Sequence, residues 1–167
     1  LEGATRPLPL EGIRIADVTV VWAGPHVTQL LAEWGAEVIR VEPRTSVQPL
    51  TRGAELVPQP RATLEMMMQL GMTLFGYPDL EPGDEYWERS PSFTSHARNK
   101  LSMTADIMTD EGREAFFRLI EKCDVIVENN VPETIEKAGI TYEQLRERNP
   151  NLIMLRMPAF GLDGPYK

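Results

Sequence analysis

Hydrophobic and polar positions along the chain switch between two periods. Residues 13–21, Ile13-Arg14-Ile15-Ala16-Asp17-Val18-Thr19-Val20-Val21, are rich in β-branched side chains and stop at Trp22-Ala23-Gly24-Pro25, which predicts a strand followed by a tight turn. Val27, Leu30, Leu31 and Trp34 then recur at i, i+3, i+4 and i+7 until Gly35. With Pro25 suited to a first helical turn, that spacing predicts a helix that buries this stripe. Residues 37–42 are short, apolar at their centre and closed by Pro43, a second strand. The chain opens as β-α-β.

Between Thr45 and Asn99 the pattern breaks. Pro49, Pro58, Pro60, Pro78, Pro82 and Pro91 interrupt it, and only residues 62–74 read as a helix, so the stretch is an irregular excursion and not a second domain. Regularity returns with a strand over residues 101–107. Thr109-Asp110-Glu111 then offers an N-cap with acids in the first helical turn, where they complement the helix dipole, and Phe116, Phe117, Ile120 and Cys123 give that helix its inner face. Residues 124–128 form a fourth strand, and Pro132 starts a short helix that Gly139 ends. Thr141-Tyr142-Glu143-Gln144 matches a capping box, opening a helix that stops before Asn149-Pro150, and residues 152–157 are a fifth strand. Alternation of this kind predicts an α/β fold, a Rossmann-like and mostly parallel sheet with helices on both faces.

Composition narrows the partners. The 167 residues carry 17 basic and 25 acidic side chains, a net charge of -8 without a basic cluster, which disfavours nucleic acid. No apolar run approaches the ~20 residues of a membrane span, no signal peptide is visible in residues 1–10, and the single cysteine permits no internal disulfide. A cytoplasmic setting is the expectation.

In an open parallel sheet, ligands bind beyond the carboxyl ends of the strands, near the point where strand order reverses. Ala23-Gly24-Pro25 leads into a helix N-terminus, whose free N–H groups and dipole suit a phosphate, although the same three residues serve equally as a plain strand-to-helix turn. Glu42 sits about 20 residues after that turn, where a nicotinamide-binding unit places its ribose-binding acid, but the G-x-G-x-x-G fingerprint is missing. Arg44, Arg52, Arg98 and Lys100 are candidate phosphate partners, each of them also a plausible solvated surface charge. His26 and His96 lack metal-ligand spacing, and they and Cys123 read as structural; no metal site is expected. Met66, Met67, Met68 and Met72 suit either an acyl pocket or, more often, core.

Taken in order, a series of segments resembles one family. They are Leu10-Glu11-Gly12-Ile13-Arg14-Ile15-Ala16-Asp17, Ala23-Gly24-Pro25, Leu31-Ala32-Glu33-Trp34-Gly35-Ala36-Glu37-Val38-Ile39-Arg40-Val41-Glu42, Asn99-Lys100, Glu111-Gly112-Arg113-Glu114, Asp124-Val125-Ile126-Val127-Glu128-Asn129, Asn149-Pro150-Asn151-Leu152-Ile153 and Phe160-Gly161-Leu162-Asp163-Gly164-Pro165-Tyr166. Together they resemble the N-terminal part of the class III CoA-transferases (CaiB/BaiF, formyl-CoA transferase type), over nearly the whole chain apart from residues 45–98. The resemblance implies a protein about twice this length that forms interlocked homodimers. Residues 1–167 would be the N-terminal part of its larger, CoA-binding, Rossmann-type domain.

By that resemblance the adenosine diphosphate part of CoA lies over the strand ends. Trp22, Ala23, Gly24 and Pro25 match the first loop and Arg44 the basic position after the second strand. Asn99 and Lys100, Asp106 and Asn129 fall in the third and fourth segments, and Lys137 replaces an arginine. Leu101 and Asn130 depart from the family, which commonly has a basic residue and an aromatic there. The implied activity moves CoA between an acyl-CoA and a small carboxylic acid. An aspartate carries it through mixed-anhydride and aspartyl-CoA thioester intermediates, splitting a difficult exchange into easier steps. That aspartate falls beyond Lys167 and Asp163 does not match it, so no catalytic residue is assigned here and these 167 residues alone are expected to lack the reaction. Two other readings stay open. One is an α-methylacyl-CoA racemase-like enzyme, which Thr104-Ala105-Asp106 and Arg156-Met157 also resemble and which needs an acid/base pair. The other is a non-catalytic nucleotide-binding module.

Overall fold

The computed structural model describes residues 7–43, 60–72 and 77–165. Five strands, β1 (Arg14–Asp17), β2 (Glu37–Glu42), β3 (Lys100–Thr104), β4 (Val125–Glu128) and β5 (Ile153–Arg156), pair in parallel throughout, in the order β3-β2-β1-β4-β5. From β1 the chain steps outward to β2 and β3, then returns to the other side of β1 for β4 and β5. Strand order therefore reverses between β1 and β4, as in a doubly wound sheet.

Side-chain alternation distributes two cores. Ile15, Val38 and Val127 point to one face and are covered by Ala32 and Ala36, from and just beyond α1 (Ala23–Glu33). Ala16, Val41 and Ile126 point to the other, beneath Phe116 and Ile120 of α5 (Asp110–Ile120), Ile135 of α6 (Pro132–Lys137) and Leu145 of α7 (Tyr142–Arg148). Caps follow the local sequence. Thr109 Oγ1 accepts from the Gly112 N–H at 3.1 Å, and a Cβ on Gly112 would lie 2.0 Å from the Asp106 carbonyl oxygen, so only glycine fits that turn. Thr141 and Gln144 make the reciprocal capping box.

Three sequence expectations change. The buried side of α1 is Gly24, Pro25, Thr28, Gln29 and Ala32, whereas Leu30 and Trp34 of the apolar stripe are exposed. This helix meets the sheet through small and polar residues, because the layer beneath its first turns is polar. The stretch between β2 and β3 holds more than one helix: α2 (Arg61–Gln69), a 3-10 turn (Pro78–Leu80), α3 (Tyr86–Arg89) and α4 (Pro91–Ala97). The buried residues of α4 are Ser92 and His96, so it carries no apolar signal. Finally, Met66, Met68 and Met72 are exposed and only Leu64 of α2 is buried, which removes these methionines from the core.

Cys123 is buried at the end of the α5 segment, and burial, outweighing Arg14, pushes its thiol up to about 11. Roughly one thiol in a thousand is then ionised at pH 8, and the thiolate is the reactive form. Iodoacetamide at pH 8 should leave Cys123 unmodified in the folded protein and label it in urea; rapid labelling of the native state, read by mass spectrometry, would contradict this placement.

Candidate functional site

The reversal of strand order falls between β1 and β4, and the carboxyl ends of these strands are where a doubly wound sheet is expected to form its ligand crevice. Here the strand predicted to run to Val21 ends at Asp17 instead. Val18 still donates to the Val127 carbonyl at 3.1 Å, but Val20 has a side chain for a strand partner. The Val20 N–H donates to Asn129 Oδ1 at 2.6 Å, and Asn129 Nδ2 donates back to the Val20 carbonyl at 2.8 Å. Asn130 Nδ2 adds a bond to the Val18 carbonyl at 2.9 Å. Two asparagines after β4 thus hold the loop after β1, and Val21, at φ +61°, turns the chain into α1. Gly24 closes the assembly: a Cβ there would lie 2.5 Å from Thr19 Cβ and 2.8 Å from Asn129 Oδ1.

Beneath the first turns of α1 lies a buried polar network. Asp17 Oδ1 accepts from the Thr19 N–H at 2.9 Å and its hydroxyl at 2.5 Å, while Oδ2 accepts from Thr28 Oγ1 at 2.7 Å and Lys100 Nζ at 2.9 Å. Lys100 also donates to the Pro25 carbonyl at 2.9 Å and to Thr28 at 2.7 Å. Both charged side chains are almost wholly buried. Burial pushes the Asp17 carboxyl up, but Lys100 and the Thr19 and Thr28 bonds together outweigh it and hold the carboxyl below the usual range. On the same face Arg40 is buried, its Nε 2.8 Å from Glu42 Oε1, and Nη1 and Nη2 have no hydrogen-bond partner among the described residues. Burial lowers its pKa against the pull of Glu42 and Asp17. His96, buried and lowered chiefly by that burial, approaches the Ser92 carbonyl at 2.8 Å through Nδ1 and meets the Trp22 ring edge to face at 4.6 Å.

The residues singled out from sequence fall into separate groups. Trp22, Ala23, Gly24, Pro25 and Asn129 meet at the crevice, where Trp22 precedes α1 without giving it a side-chain cap. Lys100 reaches the same loop from below, through Pro25. Asn99, at φ +60°, is exposed at the opposite, amino end of β3, and Lys137 is exposed in the last turn of α6. Asp106 lies past β3, where Oδ1 takes the Met108 N–H at 3.0 Å and its carbonyl accepts from Thr109. Glu42 is engaged by Arg40 and by Ser102 Oγ at 3.1 Å, and Arg98 pairs with Glu33 at the surface. Arg44 and Arg52 lie outside the described residues. Sequence reasoning missed Asp17, Thr28 and Arg40, and noted Asn130 as a strand-end residue that departs from the family without giving it a role. The available signal was charge out of place: Asp17 and Arg40 interrupt β-branched runs on the face whose neighbours, Ile15 and Val38, are core.

No group of three or more His, Cys, Asp or Glu able to hold a metal occurs among the described residues, and none of their helices is long and apolar enough to cross a membrane.

An all-parallel sheet of five strands in doubly wound order, covered by helices, defines an α/β fold. The comparisons with known proteins make the class specific. Residues 10–167 match CoA-transferase family III, and the chain belongs to that family. It is 34% identical over 160 residues to the succinyl-CoA–L-malate CoA-transferase alpha subunit of Chloroflexus aurantiacus, covering 96% of this chain and 31% of the relative. It is 37% identical over 158 residues to the formyl-CoA:oxalate CoA-transferase of Bradyrhizobium sp. (strain ORS 278), covering 95% and 30%. Among solved structures, a CaiB/BaiF family protein from Brucella suis superposes with a TM-score of 0.70 at 32% identity, covering 96% of this chain and 36% of that one. The chain spans about a third of the length of the curated relatives it matches, less than the half that the sequence resemblance implies.

Proposed function

We propose that this chain is the CoA-binding portion of a class III CoA-transferase, with residues 1–167 the N-terminal part of its large Rossmann-type domain. The intact protein would move CoA from a short acyl-CoA to a small carboxylic acid. The observation that carries the reading is the crevice loop. Its path is held by Asn129 and Asn130, its close approach depends on Gly24, and it delivers the uncapped start of α1 to the switch point of a family III fold. Relatives named for succinyl-CoA with malate and for formyl-CoA with oxalate support small acids as the substrate class.

In this reading Trp22, Ala23, Gly24 and Pro25 wall the adenosine diphosphate part of CoA. Arg44, Asp106 and Lys137 are further contacts, while Asn129 and Lys100 act by fixing the loop; Asn99, at the opposite, amino end of β3, takes no part in the wall. Chemistry belongs to an aspartate elsewhere in the intact protein. Its carboxylate displaces CoA thiolate from the acyl-CoA to give a mixed anhydride. The thiolate attacks the aspartyl carbonyl, releasing the first acid and leaving an aspartyl-CoA thioester, and the second acid runs the same two exchanges in reverse to leave as its own CoA ester with the aspartate restored. The protein works as an interlocked homodimer in the cytoplasm.

The test is Ala23→Phe in the intact protein. Ala23 is the exposed first residue of α1. A phenyl ring there should obstruct the crevice and weaken CoA binding, measured by calorimetry, about tenfold or more, equivalent to about 1.4 kcal/mol. Unchanged affinity sinks the placement.

A further inference from the structure

We propose that the Arg40 guanidinium is an oxyanion anchor, its two terminal nitrogens receiving a phosphoryl or carboxylate group of the ligand. Arg40 lies two residues before the carboxyl end of β2, on the face that α1 covers, and is 3% exposed. Among the described residues only its inner nitrogen is matched, by Glu42 at 2.8 Å, while Nη1 and Nη2 are buried without a partner. Neighbours cannot relieve them. The two oxygens of Asp17 already accept four bonds, from Thr19 twice, Thr28 and Lys100, which fills a carboxylate's capacity. The Phe93 ring, 5.9 Å from the guanidinium carbon, offers a π face but no lone pair.

The unmatched pair has a definite shape. Nη1 and Nη2 are the end-on fork of the guanidinium, spaced to bind two oxygens of one carboxylate or phosphate. Donors are also the only buried side-chain atoms left without partners among the described residues: besides these two, Gln29 Nε2 and Arg156 Nη2, and no oxygen. What the interior lacks is acceptors, the property of an anion. Access requires α4 to shift. It is two turns long, has no side-chain cap, and holds Phe93 over the fork.

The choice of ligands rests on the CoA-transfer reading; the orphaned fork does not. The test uses the intact protein and its Arg40→Lys and Arg40→Gln variants, titrated with CoA, inorganic pyrophosphate and succinate. Lysine keeps the charge but loses the fork. A charge-assisted pair at this fork should make both variants bind the anchored class about 10- to 100-fold more weakly. Loss for CoA and pyrophosphate with succinate unchanged identifies a phosphate as the source, and the reverse identifies a carboxylate. Should both variants fail to fold, the crystal structure of the wild-type protein with CoA and succinate decides: a ligand oxygen must lie within hydrogen-bond distance of Nη1 or Nη2. Wild-type affinities in both variants, or a complex in which neither nitrogen touches ligand, overturns the anchor while leaving the CoA reading intact. Wild-type protein that binds pyrophosphate or succinate through Arg40 but no CoA overturns the CoA reading alone. Wild-type protein that binds none of the three overturns both.

Discussion

Lys100→Met in the intact protein is expected to lower the stability of this domain by about 3–5 kcal/mol, because it strands a buried carboxylate. Lys100 is the countercharge of Asp17, both are almost fully buried, and the ammonium also ties Pro25 and Thr28 of α1 to the sheet. The pH dependence separates this cause from simple loss of packing. In the wild type Asp17 is held below the usual carboxylate range, so its contribution is complete above the unfolded value of about 3.9 and is lost as pH falls through the lower folded value. Without Lys100 burial dominates and raises the folded value, so the variant loses stability as pH rises through it. Urea denaturation should therefore show a deficit larger at pH 7 than at pH 4. Adding Asp17→Leu should recover much of it, since apolar replacement of a whole buried pair is often near neutral. A deficit under about 1 kcal/mol, or one independent of pH, would mean that the pair does not carry the network.

Gly24→Ala is expected to disable the crevice while leaving the rest of the sheet in place. The new methyl would stand 2.5 Å from Thr19 Cβ, 2.6 Å from its Cγ2 and 2.8 Å from Asn129 Oδ1. Neither neighbour is free to yield. Thr19 is bonded twice to Asp17, and Asn129 is bonded at both ends of its amide to Val20. Overpacking of this kind costs about 1–3 kcal/mol, and the structure relieves it by moving the start of α1. CoA affinity should fall more than tenfold, the equivalent of about 1.4 kcal/mol, by calorimetry on the intact variant. Near-native affinity together with a native melting temperature would show that the loop has slack these distances do not allow.

Much of the fold was legible because packing agreed with local pattern. The β2, β4 and β5 runs, the Thr109 and Thr141 caps and the Gly139 stop all appear near their predicted places. The parallel sheet with helices on both faces was implied by alternation of strands and helices, while its strand order emerged only from the structure. The pattern failed where polar bonds overrode it. Val20 and Val21 have strand propensity, yet an asparagine amide takes the place of a strand neighbour and the chain peels away. In α1 the buried stripe is set by the polar layer below it, so Thr28 and Gln29 are covered while Leu30 and Trp34 face outward. Helix α4 was invisible since its inward residues are serine and histidine.

The candidate site was legible as a place and opaque as a network. A turn before a helix locates the crevice, and family resemblance picks out Asn129 and Lys100, but no spacing rule links Lys100 to Asp17 across 83 positions of chain. That link exists only once β3 and β1 flank β2.

The amides of Asn129 and Asn130 grip the main chain of the crevice loop, at Val18 and Val20, and not its side chains. The course of the loop is therefore insulated from the identity of the residues it displays. Val21 and Trp22 both expose side chains that the asparagines do not touch, although Trp22 also meets His96. An arrangement of this kind lets a lineage retune what its crevice accepts by single substitutions, each of which leaves the scaffold unaltered. Change at position 129 itself, by contrast, has to be matched at once by a new way of holding residue 20.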